Sequence, residues 1–137
     1  MRATDETPTK GSKNIGKNPT FLKSTLIAAD GFKQVVKNES KIRLAFGVVA
    51  VCVGLAIWLK ASYIETVLLL YAWIQVIVGE IFNTSLEKAM DYASDKAYHP
   101  LIKLGKDYAA ASVFVLSVLA SLLSLFILGT HFYQWLT

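Results

Sequence analysis

The run YAAASVFVLSVLASLLSLFILGT, residues 108–130, holds 23 consecutive residues with no charge among them. A helix of that length reaches about 35 Å at about 1.5 Å per residue, enough to cross a hydrocarbon core of about 30 Å. His131-Phe-Tyr-Gln-Trp135 follows it, aromatic side chains of the kind that anchor a helix end at the membrane–water boundary. Toward the N-terminus two further apolar blocks appear. One starts at Leu44 and continues to about Ile64, with Lys60 snorkelling toward the surface; its 16 residues from Leu44 to Leu59 alone reach only about 24 Å. The other starts at Thr66 and stays apolar to Gly79, where Glu80 interrupts it. A complete span needs about 20 residues, so it runs to about residue 86 and carries Glu80 at membrane depth or at its inner edge. Spans over about 44–64, 66–86 and 108–130 predict an all-α integral membrane protein with three transmembrane helices.

Composition agrees. An apolar share of 54% and a mean hydropathy of +0.45 in 137 residues exceed what one small water-soluble core could bury. The single cysteine, Cys52, lies inside an apolar block, where it reads as a small apolar side chain and excludes an intrachain disulfide. Net charge is +4, and its distribution is informative: of the 14 basic residues, nine precede Leu44 and four (Lys88, Lys96, Lys103, Lys106) lie between the second and third spans. Both basic segments are therefore expected to face the cytoplasm, with the C-terminus on the other side of the membrane. Basic residues that flank spans, with no recognition fold, argue against nucleic-acid binding.

From Thr20 to Lys41 the pattern is amphipathic. Phe21, Leu22, Leu26, Ala29, Phe32 and Val36 share one helical face, while Lys23, Asp30, Gln34 and Lys37 lie on another. A basic amphipathic helix just before a span is expected to lie in the interface plane, here over about residues 20–41. Residues 1–19 read as a disordered polar tail, leaving residues 20–137 as the membrane domain. The opening residues have no apolar run behind them, so no cleavable signal peptide is expected. Within the tail, GSKNIGKN (residues 11–18) nearly fits a phosphate-binding loop, but Asn18 replaces the hydroxyl that would hold magnesium and no apolar strand precedes it.

The stretch EIFNTSLEKAMD, residues 80–91, carries the chemistry. At about 100° per residue, Glu80, Asn83, Glu87 and Asp91 fall within a stripe roughly 80° wide, a polar ladder from membrane to cytoplasm. Asp91 alone reads as the solvated end of an emerging helix, and Asn83 could join helices by hydrogen bonding. Glu80 lies too deep for ordinary solvation, and an ionisable group in a span is a functional candidate by default. Glu39, between the interface helix and the first span, and Lys106-Asp107, at the entry to the third, supply further charge. Carboxylates with a nearby lysine at a membrane surface suit magnesium-dependent phosphoryl transfer to a lipid hydroxyl. The same residues could also conduct ions. Tyr98-His99-Pro100 occupies the cytoplasmic loop, and with His131 on the far side no histidine metal site forms.

These motifs resemble those of the prokaryotic diacylglycerol kinase and undecaprenol kinase family. Residues 80–91 look like its ExxNxxxExxxD signature, and Tyr98-His99-Pro100-Leu101 with Gly105-Lys106-Asp107 resembles its second. Asn38-Glu39 with Ile42-Arg43 resembles the start of its first membrane helix, and the likeness runs from about Phe21 to the C-terminus. The resemblance implies that Glu39 and Glu87 hold the Mg2+ of ATP, that Glu80 is the base toward the lipid hydroxyl, and that Asn83 and Asp91 support the site. It further implies that Tyr98, His99, Lys106 and Asp107 lie at the ATP, and that the chain is a homotrimer with sites at subunit contacts. The loop from Asp91 to His99 is one residue longer than usual, Ala45 stands where some members carry an acid, and the surface-helix arginine has no clear counterpart. Diacylglycerol is the expected lipid, on the Asn38-Glu39 match. Undecaprenol is the alternative, and a non-enzymatic channel or scaffold is the more distant one.

Overall fold

The computed structural model describes residues 21–95 and 97–137. The expected polar tail and its loop-like residues 11–18 lie outside the described residues. Four helices follow in order: α1 (Phe21–Asn38), α2 (Ser40–Trp58), α3 (Tyr63–Ala93) and α4 (Pro100–Leu136). Three of them, α2, α3 and α4, are long and apolar enough to cross a membrane. No strand occurs among the described residues. The protein is an all-α membrane protein, as its hydropathy pattern requires.

The chain divides into two compact units, and the described part of the first, residues 21–34, is helix with no buried side chain. Its apolar residues are open, Phe21 at 87% and Leu22 at 68% exposure. The second unit begins at Val35 and contains the three long helices. Its first event is a break: Glu39 leaves the helical region (φ −105°, ψ 111°) and serves as the N-cap position of α2. Arg43, one turn into α2, donates to the carbonyls of Val36 (3.1 Å) and Lys37 (2.7 Å), which would otherwise be orphaned at the end of α1.

The expected first span reaches Ile64, but α2 stops at Trp58 because the chain turns there. Lys60 adopts a left-handed conformation (φ 59°), Lys60 N–H donates to Ile57 O (3.1 Å) and Ala61 N–H to Ala56 O (2.9 Å). This pair of bonds is a Schellman closure, and Ala61 packs against the cluster of Ala56, Leu69 and Ile127. Ser62 then opens α3 with a capping box: its hydroxyl accepts from Glu65 N–H (3.3 Å) and the Glu65 carboxylate accepts from Ser62 N–H (2.7 Å). The α2–α3 hairpin is tight because both helix ends are satisfied locally.

Two small apolar clusters align the helices. Ile42 and Ala45 of α2 pack on Ile77 of α3, and nearer the hairpin Ala56, Leu69 and Ile127 join all three helices. Between these levels Trp73 Nε1 donates to Ser124 Oγ (3.0 Å). The register makes α3 antiparallel to both neighbours. Where α3 and α4 press together, small residues allow it: a Cβ on Gly79 would lie 2.9 Å from Leu116 Cδ1, and one on Gly105 would lie 2.5 Å from Met90 Cε. Only 17–22% of the most apolar window of each long helix is buried, which leaves most of their surface for lipid or other chains.

Candidate active site where α3 leaves the membrane

Helix α3 is unbroken for 31 residues, about 46 Å, longer than the hydrocarbon core is thick. Glu80 lies about 26 Å from its first residue and Asp91 about 16 Å further on. A helix of that length extends beyond the hydrocarbon core, and the polar stripe occupies its C-terminal part.

Each rung has a different environment. Glu80 is half-buried, and among the described residues no hydrogen bond or ion pair reaches its carboxylate. Asn83 is 5% exposed; its Nδ2 donates to Glu87 Oε1 at 2.9 Å, fixing the orientation of that half-buried carboxylate. Asn83 Oδ1 is buried and has no partner in the described structure, an unusual state for a polar atom. It borders a groove of about 310 Å³ between α3 and α4, walled by Gly79, Phe82, Leu86, Ala109 and Ser112. Asp91 pairs with Lys106 of α4, half-buried together. Gly105 accounts for that meeting, since its missing side chain admits Met90 and brings the next residue of α4 against α3.

The aqueous end opens into a cleft of about 380 Å³ lined by Asp91, Ser94, Tyr98, His99, Lys103 and Lys106. Asp95, in a left-handed conformation (φ 46°), turns the chain away from α3. His99 restarts the helix as N-cap of α4, its Nδ1 accepting from Leu101 N–H at 3.3 Å, with Pro100 in the first helical turn. Three of the residues expected near a nucleotide, Tyr98, His99 and Lys106, thus line one cleft, together with Asp91, which was expected to support the site. Asp107 instead accepts a bond from Lys103 (2.6 Å), itself a lining residue.

Glu39 and Glu87 lie outside that lining. Glu39 Oε1 is held by Lys88 Nζ at 2.7 Å, so it meets the residue next to Glu87. Among the described residues no group of three or more His, Cys, Asp or Glu gathers as a dedicated ion cage. Two hard carboxylates without a third suit magnesium, which usually takes one or two carboxylates together with substrate phosphates and water. In donor chemistry the residues present fit that ion.

The sequence reading passed over two participants. The four-residue spacing of Lys103 and Asp107 on a helix could have revealed the first, whereas Lys88 meets Glu39 only because α2 and α3 dock across 49 positions of sequence. At the opposite end of the bundle His131 Nε2 lies 3.0 Å from Glu65 Oε2, tying the end of α4 to the start of α3.

An all-α membrane protein with a carboxylate ladder at the membrane boundary and a lysine-lined cleft above it has the parts of a membrane-embedded phosphotransferase. Comparison with known proteins narrows the class: the profile of the prokaryotic diacylglycerol kinase family matches residues 26–128. The chain is 33% identical over 92 residues to a diacylglycerol kinase of Helicobacter pylori, covering 67% of this chain and 71% of that protein. It is 29% identical over 112 residues to one from Shigella flexneri, covering 82% and 91%, and 27% identical over 95 residues to one from Haemophilus influenzae, covering 69% and 80%. The chain belongs to the prokaryotic diacylglycerol kinase family, and is a lipid kinase of the membrane.

Proposed function

We propose that the protein transfers the γ-phosphoryl group of Mg-ATP to the free hydroxyl of diacylglycerol, giving phosphatidic acid. The observation that carries this reading is Glu80, a half-buried carboxylate with no partner among the described residues, on the apolar helix α3 where it can meet a lipid hydroxyl. There it accepts the hydroxyl proton as the lipid oxygen bonds to the γ-phosphorus and the bond from that phosphorus to ADP breaks. Asn83 orients Glu87 and, through its spare Oδ1, presents an acceptor to the groove. Lys106 leaves Asp91 to meet phosphate charge, and Tyr98, His99 and Asp107 frame the nucleotide. Glu39 and Glu87 would hold magnesium, which when bound would neutralise polyphosphate charge.

The limited burial of the long helices supports a homotrimer, in which neighbouring copies cover part of the exposed faces and share in the sites. The basic tail and the α3–α4 loop lie in the cytoplasm, in the bacterial inner membrane, and residues 20–137 form the kinase domain. Undecaprenol is the second acceptor considered, because Ala45 and the His99-Pro100-Leu101 loop lean toward the sister activity; relatives named diacylglycerol kinase favour the first. The test is transfer of labelled γ-phosphate from Mg-ATP in mixed micelles offered both lipids. Labelled phosphatidic acid that disappears in Glu87→Gln supports the proposal. Labelled undecaprenol redirects it, and folded protein that labels neither lipid refutes it.

A further inference from the structure

Lys88 holds the carboxylate that the proposed site reserves for magnesium. Its Nζ lies 2.7 Å from Glu39 Oε1, within charge-assisted hydrogen-bond distance, and Glu39 is the less accessible partner at 26% side-chain exposure against 67% for Lys88. Glu39 sits at the N-cap of α2 with no side-chain cap bond to its helix, so Lys88 is its partner in the described structure. A divalent cation on that carboxylate would stand within a few ångströms of the ammonium, and like charges at such separation repel. Lys88 and the metal cannot both keep their preferred positions.

We infer that Lys88 is an internal competitor for the metal site: it neutralises Glu39 while no metal is bound and swings out when a divalent cation takes the carboxylate. This rests on the reading of Glu39 as a metal ligand. The pair holds Glu39 in a defined place at the membrane surface, and its release leaves a mobile ammonium beside the incoming polyphosphate. Lys88 is thus a positioning residue, one that sets how much divalent cation the enzyme needs. Because Lys88 is largely exposed the grip of the pair is modest, and its removal should change metal affinity only about two- to fivefold.

Mn2+ is the probe. Its binding to full-length, nucleotide-free protein in detergent micelles is followed by loss of the paramagnetic signal of the free aqueous ion, for wild type, Lys88→Met, Lys88→Arg and Glu39→Gln. The expected result is about two- to fivefold tighter binding in Lys88→Met, wild-type binding in Lys88→Arg, and loss in Glu39→Gln. Equal or weaker binding in Lys88→Met, with binding lost in Glu39→Gln, overturns the competitor role while Glu39 keeps its role as ligand. Glu39→Gln binding like wild type removes Glu39 as ligand and overturns both ideas, whereas no binding by any of the four proteins overturns the competitor role, since Lys88 then has no metal to exclude.

Discussion

Replacing Asn83 by leucine should leave the fold intact and disable the enzyme, two outcomes seldom joined at a buried position. Asn83 makes one bond, from Nδ2 to Glu87 Oε1 at 2.9 Å, and leaves Oδ1 buried without a partner. Loss of a hydrogen bond to an ionised acceptor removes about 1.5–3 kcal/mol, while an orphaned buried acceptor already costs about 1–3 kcal/mol that leucine, of similar shape, does not. The two nearly cancel, so Asn83→Leu should unfold within about 1 kcal/mol of wild type. Activity should fall about 10- to 100-fold, the usual consequence of freeing a ligating carboxylate from the group that orients it. Asn83→Asp makes the opposite case, since it keeps the shape but sets a second carboxylate against Glu87 and should be markedly less stable. Thermal unfolding in detergent and phosphoryl transfer to lipid, measured on the same preparations, separate the two effects. A loss of more than about 3 kcal/mol in Asn83→Leu would mean that Oδ1 is satisfied in the native assembly, and the reasoning above would fail.

Three further outcomes follow from the geometry. Glu80→Gln, which keeps the shape and removes the proton acceptor, should lower turnover about 10²- to 10⁴-fold with nucleotide affinity unchanged, as equilibrium binding of a labelled ATP analogue would check. Lys106→Met should raise the KM for ATP with less than about 1 kcal/mol lost in stability, because its pair with Asp91 is only half-buried; exchanging the two charges should restore unfolding temperature but not KM. In the α2–α3 hairpin, Ser62→Ala should lose about 0.5–2 kcal/mol of cap energy, whereas Lys60→Gly should gain about 1 kcal/mol by relieving the left-handed backbone. Neither hairpin change should alter kinase activity, and unfolding curves of opposite displacement are the readout.

The spans were legible because lipid leaves a coarse record: an uncharged run of 23 residues admits few other fates. Helix ends were less so. The apolar pattern continues from Trp58 to Ile64, and nothing in hydropathy shows that Lys60 takes a left-handed turn or that Ser62 and Glu65 cap a new helix two residues later. The polar stripe could be read from helical spacing, since Glu80, Asn83, Glu87 and Asp91 lie on one element. What spacing cannot supply is the partner. Asp91 meets Lys106 because Gly105 lets Met90 in, and Glu39 meets Lys88 because Ile42, Ala45 and Ile77 pack α2 on α3. Such pairings are properties of helix docking, and they appear only once the helices are side by side.

Those pairings also separate the carboxylates by task. Glu39 is held by Lys88, Glu87 by Asn83, Asp91 by Lys106 and Asp107 by Lys103. Three of these donors are lysine ammonium groups and one is the neutral amide of Asn83, so in the proposed function binding at Glu39, Asp91 or Asp107 exchanges a lysine partner, while Asn83 goes on orienting Glu87. Glu80 is different: it is the deepest of the five and meets no donor among the described residues. In the proposed role, a carboxylate with no donor to release is open to the hydroxyl of an arriving lipid. A division between four acids held by donors and one that meets none among the described residues suits the proposed kinase, whose phosphoryl donor is soluble and whose acceptor is not.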